Sequence, residues 1–194
     1  MNRSMQYVAG VIAIALCVAC APSPPPYKGS DLSRVDWGRD FALTAHTGKP
    51  VSTTEFRGKV VALFFGYTHC PDICAPTLAK LAALRKSLGA DADKLQVLFV
   101  SVDPAHDTPK ALARFVVQFD PSFIGLTGKP DEIAAVTREY KIAVATSHAA
   151  AHAMIEHAGN VLVKDTDGKL RLMFKNDASV ADMAHDVRLL LKKT

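Results

Sequence analysis

The stretch FFGYTHCPDIC runs from Phe64 to Cys74 and contains two cysteines separated by three residues. It overlaps an apolar, β-branched and aromatic run at 60–67 that is typical of a buried central strand. Leucines at helical spacing follow as far as Gly89, which predicts a helix from Asp72 onward. The two thiols are therefore expected at a strand-to-helix junction, where a redox couple, a metal clamp and a structural disulfide are the candidate roles.

The chain beyond residue 40 alternates between predicted strands and helices. Thr108 and Pro109 mark the start of one helix as N-cap and first helical residue, and the DTDGK segment indicates a hairpin. The predicted strands are 41–46, 51–53, 60–67, 95–102, 123–126, 161–164 and 170–174, and the further helices begin near 108, 129 and 179. This order predicts an α/β domain with a central mixed sheet flanked by helices. A CxxxC pair at the first strand-to-helix junction indicates a thioredoxin-like fold.

Composition sets broad limits on function. The 194 residues are 49% apolar and 22% charged, which suits one globular domain with small appendages. The formal net charge is +4, with acids and bases interspersed. Because there is no basic run of the kind that follows a phosphate backbone, we do not expect a nucleic acid partner.

The first residues have the pattern of an exported protein. Arg3 precedes an apolar run of about 14 residues, shorter than the ~20 needed to span a bilayer. The LCVAC segment resembles a bacterial lipobox, which predicts a signal peptide at 1–19, cleavage before Cys20 and lipidation of its sulfur. An uncleaved signal anchor is the alternative. A Pro-rich tether at 20–36 would then hold the domain at 37–194 at the periplasmic side of a bacterial membrane.

Cys70 and Cys74 remain once Cys17 and Cys20 are assigned to the N-terminal segment. A disulfide between them would close so short a loop that it would remove little chain entropy, which argues against a structural role. Residues four apart share one face of a helix, and a helix N-terminus favours the thiolate. Convergent thiolates suit disulfide exchange or a soft metal such as Cu(I), Zn(II) or an iron–sulfur cluster. Three intervening residues favour chelation, which requires a third donor.

The segment HAAAHAMIEHAGN offers that donor. His157 leads directly into the strand predicted at 161–164, and a ligand at the start of a strand is well held. His148, His152 and Met154 lie in the Ala-rich part of the same segment and are candidate further donors for Cu(II). We therefore predict His157 as the third ligand.

Four ordered blocks of this sequence resemble the Sco/SenC family of copper-handling proteins. They are FFGYTHCPDICAPTLAKL, VLFVSVDPAHDTPKAL, FIGLTG and EHAGNVLVKDTDGKL. The resemblance implies a thioredoxin-like fold that binds copper through Cys70, Cys74 and His157. It also implies delivery of copper to the binuclear centre of the copper-accepting subunit of cytochrome c oxidase, or reduction of the cysteines of that centre.

The sequence departs from the family pattern around these blocks. Ala75 separates the second cysteine from Pro76, and His106 replaces an arginine, which weakens any ion pair expected there. Glu156 and Ala158 flank the predicted ligand in place of an aspartate and a hydroxyl residue. Glu156 could still orient the imidazole.

Three functions follow from a dithiol outside the cytoplasm. The first is a copper chaperone, which is not an enzyme and would be served by a periplasmic copper donor and a thiol reductant. The second is a thiol–disulfide oxidoreductase that acts on a copper protein through a Cys70–Cys74 disulfide. The third is a copper or redox sensor. The first two use the same sulfurs, so copper binding and redox state are coupled.

Overall fold

A computed structural model of the protein describes residues 27–145, 154–155 and 159–192. The strands are β1 (Ser30–Asp31), β2 (Ala42–Ala45), β3 (Pro50–Ser52), β4 (Val60–Gly66), β5 (Leu95–Ser101), β6 (Ile124–Thr127), β7 (Val144–Ala145), β8 (Met154–Ile155), β9 (Val161–Lys164) and β10 (Leu170–Phe174). The helices are α1 (Cys74–Ser87), α2 (Pro109–Val116), α3 (Pro130–Glu139) and α4 (Val180–Lys192). Two short 3-10 turns lie at Thr53–Phe56 and Gly89–Lys94.

Eight of these strands form one mixed sheet in the order β1-β10-β9-β4-β5-β6-β2-β3. Strands β4, β5 and β6 are parallel, whereas β9 pairs antiparallel with β4, and β2 antiparallel with β6. The predicted mixed sheet flanked by helices is therefore confirmed. Because β4 and β5 are parallel neighbours at the centre, the loops that follow them meet at one edge of the sheet.

The central strand β4 is buried along its whole length because both faces of the sheet are covered. Val60, Ala62 and Phe64 pack with α1, α2 and α4 on one face. The alternate residues of β4, among them Leu63 and Phe65, pack with α3 on the other. This two-sided burial explains the continuous apolar run in the sequence, since a strand covered on both faces has no polar face to alternate.

Residues 28–31, which lie within the predicted tether, contact the folded domain. Ser30–Asp31 pairs with β10, and the backbone N–H groups of Lys28 and Gly29 donate to the carboxylate of Asp186 in α4. Asp186 has no exposed surface, so these bonds hold the start of the domain to its last helix. The local sequence does not reveal this contact, because its partner lies near the other end of the chain.

Short β7 and β8 pair with each other outside the main sheet and were not predicted. The predicted signal peptide, the predicted lipidation site Cys20 and the first part of the tether, 20–26, lie outside the described residues. In the part of the chain that the structure describes, no helix is both long and apolar enough to cross a membrane.

An ion pair between a buried lysine and a partly exposed aspartate lies at the end of the sheet opposite the two cysteines. Lys164 is 1% exposed, and its Nζ lies 2.8 Å from Oδ1 of Asp40 and 3.3 Å from the hydroxyl of Tyr140. Arg57 donates to the same carboxylate. Burial raises the pKa of Asp40, but hydrogen bonds from Arg57, Lys164 and Thr53 outweigh it and hold that pKa well below its usual range. The carboxylate thus joins the segments before β2, before β4 and along β9.

Candidate metal and thiol site

The two cysteines lie in the connection from β4 to α1, as predicted, but α1 begins at Cys74 and not at Asp72. Pro76 explains the later start, because it has no N–H to bond back to residue 72. The first helical bond runs instead from the N–H of Thr77 to the carbonyl of Ile73, at 3.0 Å. Cys74 is consequently the first helical residue and not one turn inside the helix.

Cys70 and Cys74 are both free thiols, and they face each other. Burial raises the pKa of Cys70, but a hydrogen bond from the Cys74 thiol and the backbone N–H groups of Ile73, Cys74 and Asp72 outweigh it, so the pKa of Cys70 is lowered. Burial raises the pKa of Cys74 strongly, and the bond to Cys70 adds to this effect. The pair therefore combines one half-buried, acidified thiol with one buried, protonated thiol.

Gly66 at the end of β4 makes room for this arrangement. A Cβ at this position would lie 2.7 Å from Sγ of Cys74 and 2.7 Å from Cε2 of Phe99. Real Cβ atoms do not approach other atoms so closely, so only glycine fits without a shift of the sulfur or the ring.

A buried carboxylate holds the loop just before Cys70. Asp107 has no exposed surface, and it accepts hydrogen bonds from the backbone N–H of Thr68 at 3.1 Å and from the hydroxyl of Ser101 at 2.6 Å. It also accepts one from the hydroxyl of Thr68. Asp107 lies in the loop between β5 and α2, and its carboxylate faces the protein interior.

Two histidines of the described residues lie in the loops that follow β4 and β5. Nδ1 of His106 lies 2.8 Å from Oδ2 of Asp103, and Nδ1 of His69 lies 3.1 Å from the hydroxyl of Thr68. His106 thus does keep a polar contact at the position where the sequence suggested a weakened ion pair. No group of three or more His, Cys, Asp or Glu side chains placed to hold a metal occurs within 27–145, 154–155 and 159–192.

The predicted third ligand, His157, lies outside the described residues, as do His148, His152, Glu156 and the side chain of Met154. The nearest described residue after His157 is Gly159, with φ of +104°. A Cβ at Gly159 would lie 2.7 Å from Cγ2 of Ile73 and 2.8 Å from Cγ of Asn176. The chain therefore enters β9 in contact with the residue that directly precedes Cys74.

The family model for SCO1/SenC matches residues 30–192, nearly the whole described fold. The chain belongs to the SCO1/SenC family. Among curated SCO1/SenC relatives, it is 32% identical over 185 residues to an SCO2-like protein of Rickettsia conorii, a match that covers 92% of this chain and 90% of that one. It is 45% identical over 105 residues to the mitochondrial SCO2 homolog of Bos taurus, where the match spans 53% of this chain but only 40% of the relative.

A solved structure of this family has the same fold. The structure of Bradyrhizobium japonicum ScoI with copper bound is 34% identical, with a TM-score of 0.70, and the match covers 78% of this chain and 98% of that one. The predicted thioredoxin-like fold is thereby confirmed.

Asp107 is the residue near the thiols that the sequence analysis did not assign. One signal could have found it. Ser101 ends β5 and Thr68 follows β4, so parallel pairing of these strands brings their loops to one edge of the sheet. An aspartate six residues beyond Ser101 is then a natural partner for both hydroxyls, but only the fold shows that it is buried.

Proposed function

We propose that this protein is a copper chaperone that binds Cu(I) through Cys70, Cys74 and His157 and passes it to the copper-accepting subunit of cytochrome c oxidase. The observation that carries the proposal is the convergence of two free thiols within hydrogen-bonding reach at the start of α1. In this proposed function, copper is the cargo and not a permanent cofactor.

The donor chemistry supports copper over harder ions. Thiolate sulfur prefers Cu(I), Zn(II) or iron–sulfur clusters over Mg²⁺ or Ca²⁺. Cys70 is half-buried and has the lowered pKa, so it is the thiol that loses its proton first. Cys74 is 1% exposed. Its thiol loses its proton when the metal ion takes the place of that proton between the two sulfurs.

The described backbone supports His157 as third donor. Gly159 contacts Ile73, which adjoins Cys74. Two residues of chain span at most about 7 Å, so His157 lies within that distance of Gly159 along the backbone. We propose that the imidazole reaches the sulfurs from there, and three donors would leave copper open to an incoming ligand of the acceptor.

We also propose a membrane location for this function. A lipid on Cys20 and a Pro-rich tether would hold the domain at the periplasmic face of a bacterial membrane. Because that compartment favours disulfides, a thiol reductant is needed to keep Cys70 and Cys74 able to bind metal.

A thiol–disulfide oxidoreductase acting on the acceptor's cysteines is the second candidate. The observation that favours it is the asymmetry of the pair: an acidified, accessible thiol next to a buried, protonated one is the arrangement of an attacking and a resolving thiol. In this function, Cys70 attacks the acceptor disulfide, Cys74 then releases the mixed disulfide, and the pair ends oxidised while the acceptor gains two thiols.

A transfer experiment separates the two candidates. Cu(I)-loaded protein is mixed with a copper-free oxidase copper domain whose cysteines are reduced, and metal-free reduced protein with the same domain oxidised. If the protein is a copper chaperone, we expect copper transfer in the first mixture. Reduction in the second mixture without transfer in the first would establish the oxidoreductase instead.

A further inference from the structure

A buried side chain, Asp107, helps to attach the loop that carries Cys70 to the rest of the fold. Asp107 lies between β5 and α2, yet its carboxylate receives both the backbone N–H and the hydroxyl of Thr68, two residues before Cys70. Ser101 at the end of β5 donates to the same group at 2.6 Å. A fully buried carboxylate with three donors is a firm anchor, because each charge-assisted bond is roughly twice as strong as a neutral one.

The anchor is itself fixed from several directions. The N–H of Asp107 donates to the carbonyl of Asp103 at 2.9 Å, and the next residue, Thr108, caps α2 by accepting from the N–H of Ala111 at 3.2 Å. The hydroxyl of Ser101 accepts from the N–H of Asp103 at 3.1 Å. The carboxylate is therefore supported by the end of a buried strand and by the start of a helix.

The other thiol is positioned by different contacts. Cys74 opens α1, packs in the core and lies against Gly66. Cys70 precedes the helix, and its own N–H donates to the carbonyl of Tyr67 at 3.2 Å. The position of one sulfur relative to the other consequently depends on how the segment 67–70 is held: Tyr67 packs in the core, and Asp107 binds the residue that follows it.

We propose that Asp107 is the positioning residue of the dithiol: through Thr68 it sets the place of the Cys70 sulfur relative to that of Cys74. It does not touch a ligand. The inference deepens the proposed function where copper is concerned, but the convergence of two thiols can be measured without copper. Loss of the anchor lets Cys70 move away and weakens the capture of any atom that needs both sulfurs.

The test uses two probes on the reduced protein. Phenylarsine oxide binds two neighbouring thiols as a cyclic dithioarsenite with release of water, and it requires neither copper nor His157. Cu(I) affinity is measured by competition with a chelator. Asp107→Ala is expected to lose on the order of tenfold in affinity for both probes, as removal of an outer support of a metal site does.

Two further variants separate positioning from folding and from charge. Asp186→Ala removes another fully buried carboxylate that accepts two backbone N–H groups, but in α4, and both probes should bind it as they bind the wild type. Asp107→Asn keeps an acceptor for Thr68 without the charge and should restore affinity to within about threefold, since the geometry is kept. All variants are compared below their unfolding temperatures, with near-ultraviolet circular dichroism as the check of native packing.

Three results would each overturn the positioning role. They are wild-type arsenical affinity in Asp107→Ala, an equal loss of affinity in Asp186→Ala, and an equal loss of affinity in Asp107→Asn. If the wild type captures the arsenical but not Cu(I), the proposed function fails, and the arsenical series still decides the role of Asp107. Should Asp107→Ala not fold, Thr68→Val against Thr68→Ser tests the same link through loss or retention of the hydroxyl.

Discussion

Gly66 and Cys74 are matched to each other, because a Cβ at residue 66 would lie 2.7 Å from the Cys74 sulfur. Gly66 ends β4 and Cys74 begins α1. The sulfur therefore occupies space that any other residue at 66 would fill, and the strand is part of the thiol site.

Gly66→Ala should displace the Cys74 sulfur or the Phe99 ring. Overpacking of a core typically costs about 1–3 kcal/mol, and the displaced sulfur should also weaken Cu(I) binding. Gly125→Ala is the matched control. Gly125 lies in β6, away from the thiols, and a Cβ there would lie 3.1 Å from Cβ of Leu112 in α2. Chelator competition should show loss of affinity in the first variant alone, and equal affinities would show that the contact does not matter for the site.

The two thiols should react unequally. Cys70 is half-buried with a lowered pKa, whereas Cys74 is 1% exposed with a raised one. Because the thiolate is the nucleophile, iodoacetamide should modify Cys70 first, with a half-maximal rate at a lower pH than for a free cysteine. Mass spectrometry of partly modified reduced protein checks the order, and earlier labelling of Cys74 would contradict the described geometry.

Gly159→Ala tests the approach of the segment that contains His157. Its φ of +104° and its contact with Ile73 leave no room for a side chain, so the backbone before β9 should move. We expect Cu(I) affinity to fall on the order of tenfold while arsenical capture by the thiols changes little. Gly48→Ala, at φ of +81° with open space around its Cβ, controls for backbone strain alone and should bind copper normally.

Asp40→Asn should destabilise the fold in a pH-dependent way. The carboxylate is 31% exposed and pairs with buried Lys164, so its loss should cost about 1–2 kcal/mol at neutral pH. Because the folded pKa of Asp40 is lowered, the wild-type advantage is present above the unfolded value of about 3.9 and is lost as pH falls below it. Urea unfolding at neutral and acidic pH measures this, with exposed Asp36→Asn as control; a difference that persists undiminished in acid would contradict the assignment.

Much of the fold could be predicted because the sequence patterns that indicate its strands and helices are local. The apolar run of β4 and the Thr108–Pro109 start of α2 occur in the structure as expected, and Thr108 caps its helix. Strand β1 and the Asp186 contact could not be predicted, since two polar residues carry no periodicity and their partners are more than a hundred residues away.

The thiol site likewise has features that the local sequence predicts and features that it does not. The CxxxC spacing and its place at a strand end were sufficient to predict that Cys70 and Cys74 converge. The exact start of α1 depends on the missing N–H of Pro76, and the role of Asp107 depends on burial that only packing creates. His157 as ligand remains a prediction, based on the family resemblance and on its two-residue distance from Gly159.

The proposed copper site requires that two sulfurs and one imidazole bind a single copper ion. Copper stoichiometry and X-ray absorption spectroscopy should be measured on the Cu(I)-loaded wild type, on His157→Ala and on His152→Ala as control. We expect one copper per chain with two sulfur donors and one nitrogen donor in the wild type and in His152→Ala, and loss of the nitrogen with weaker binding in His157→Ala. An unchanged ligand set and affinity in His157→Ala would contradict the account.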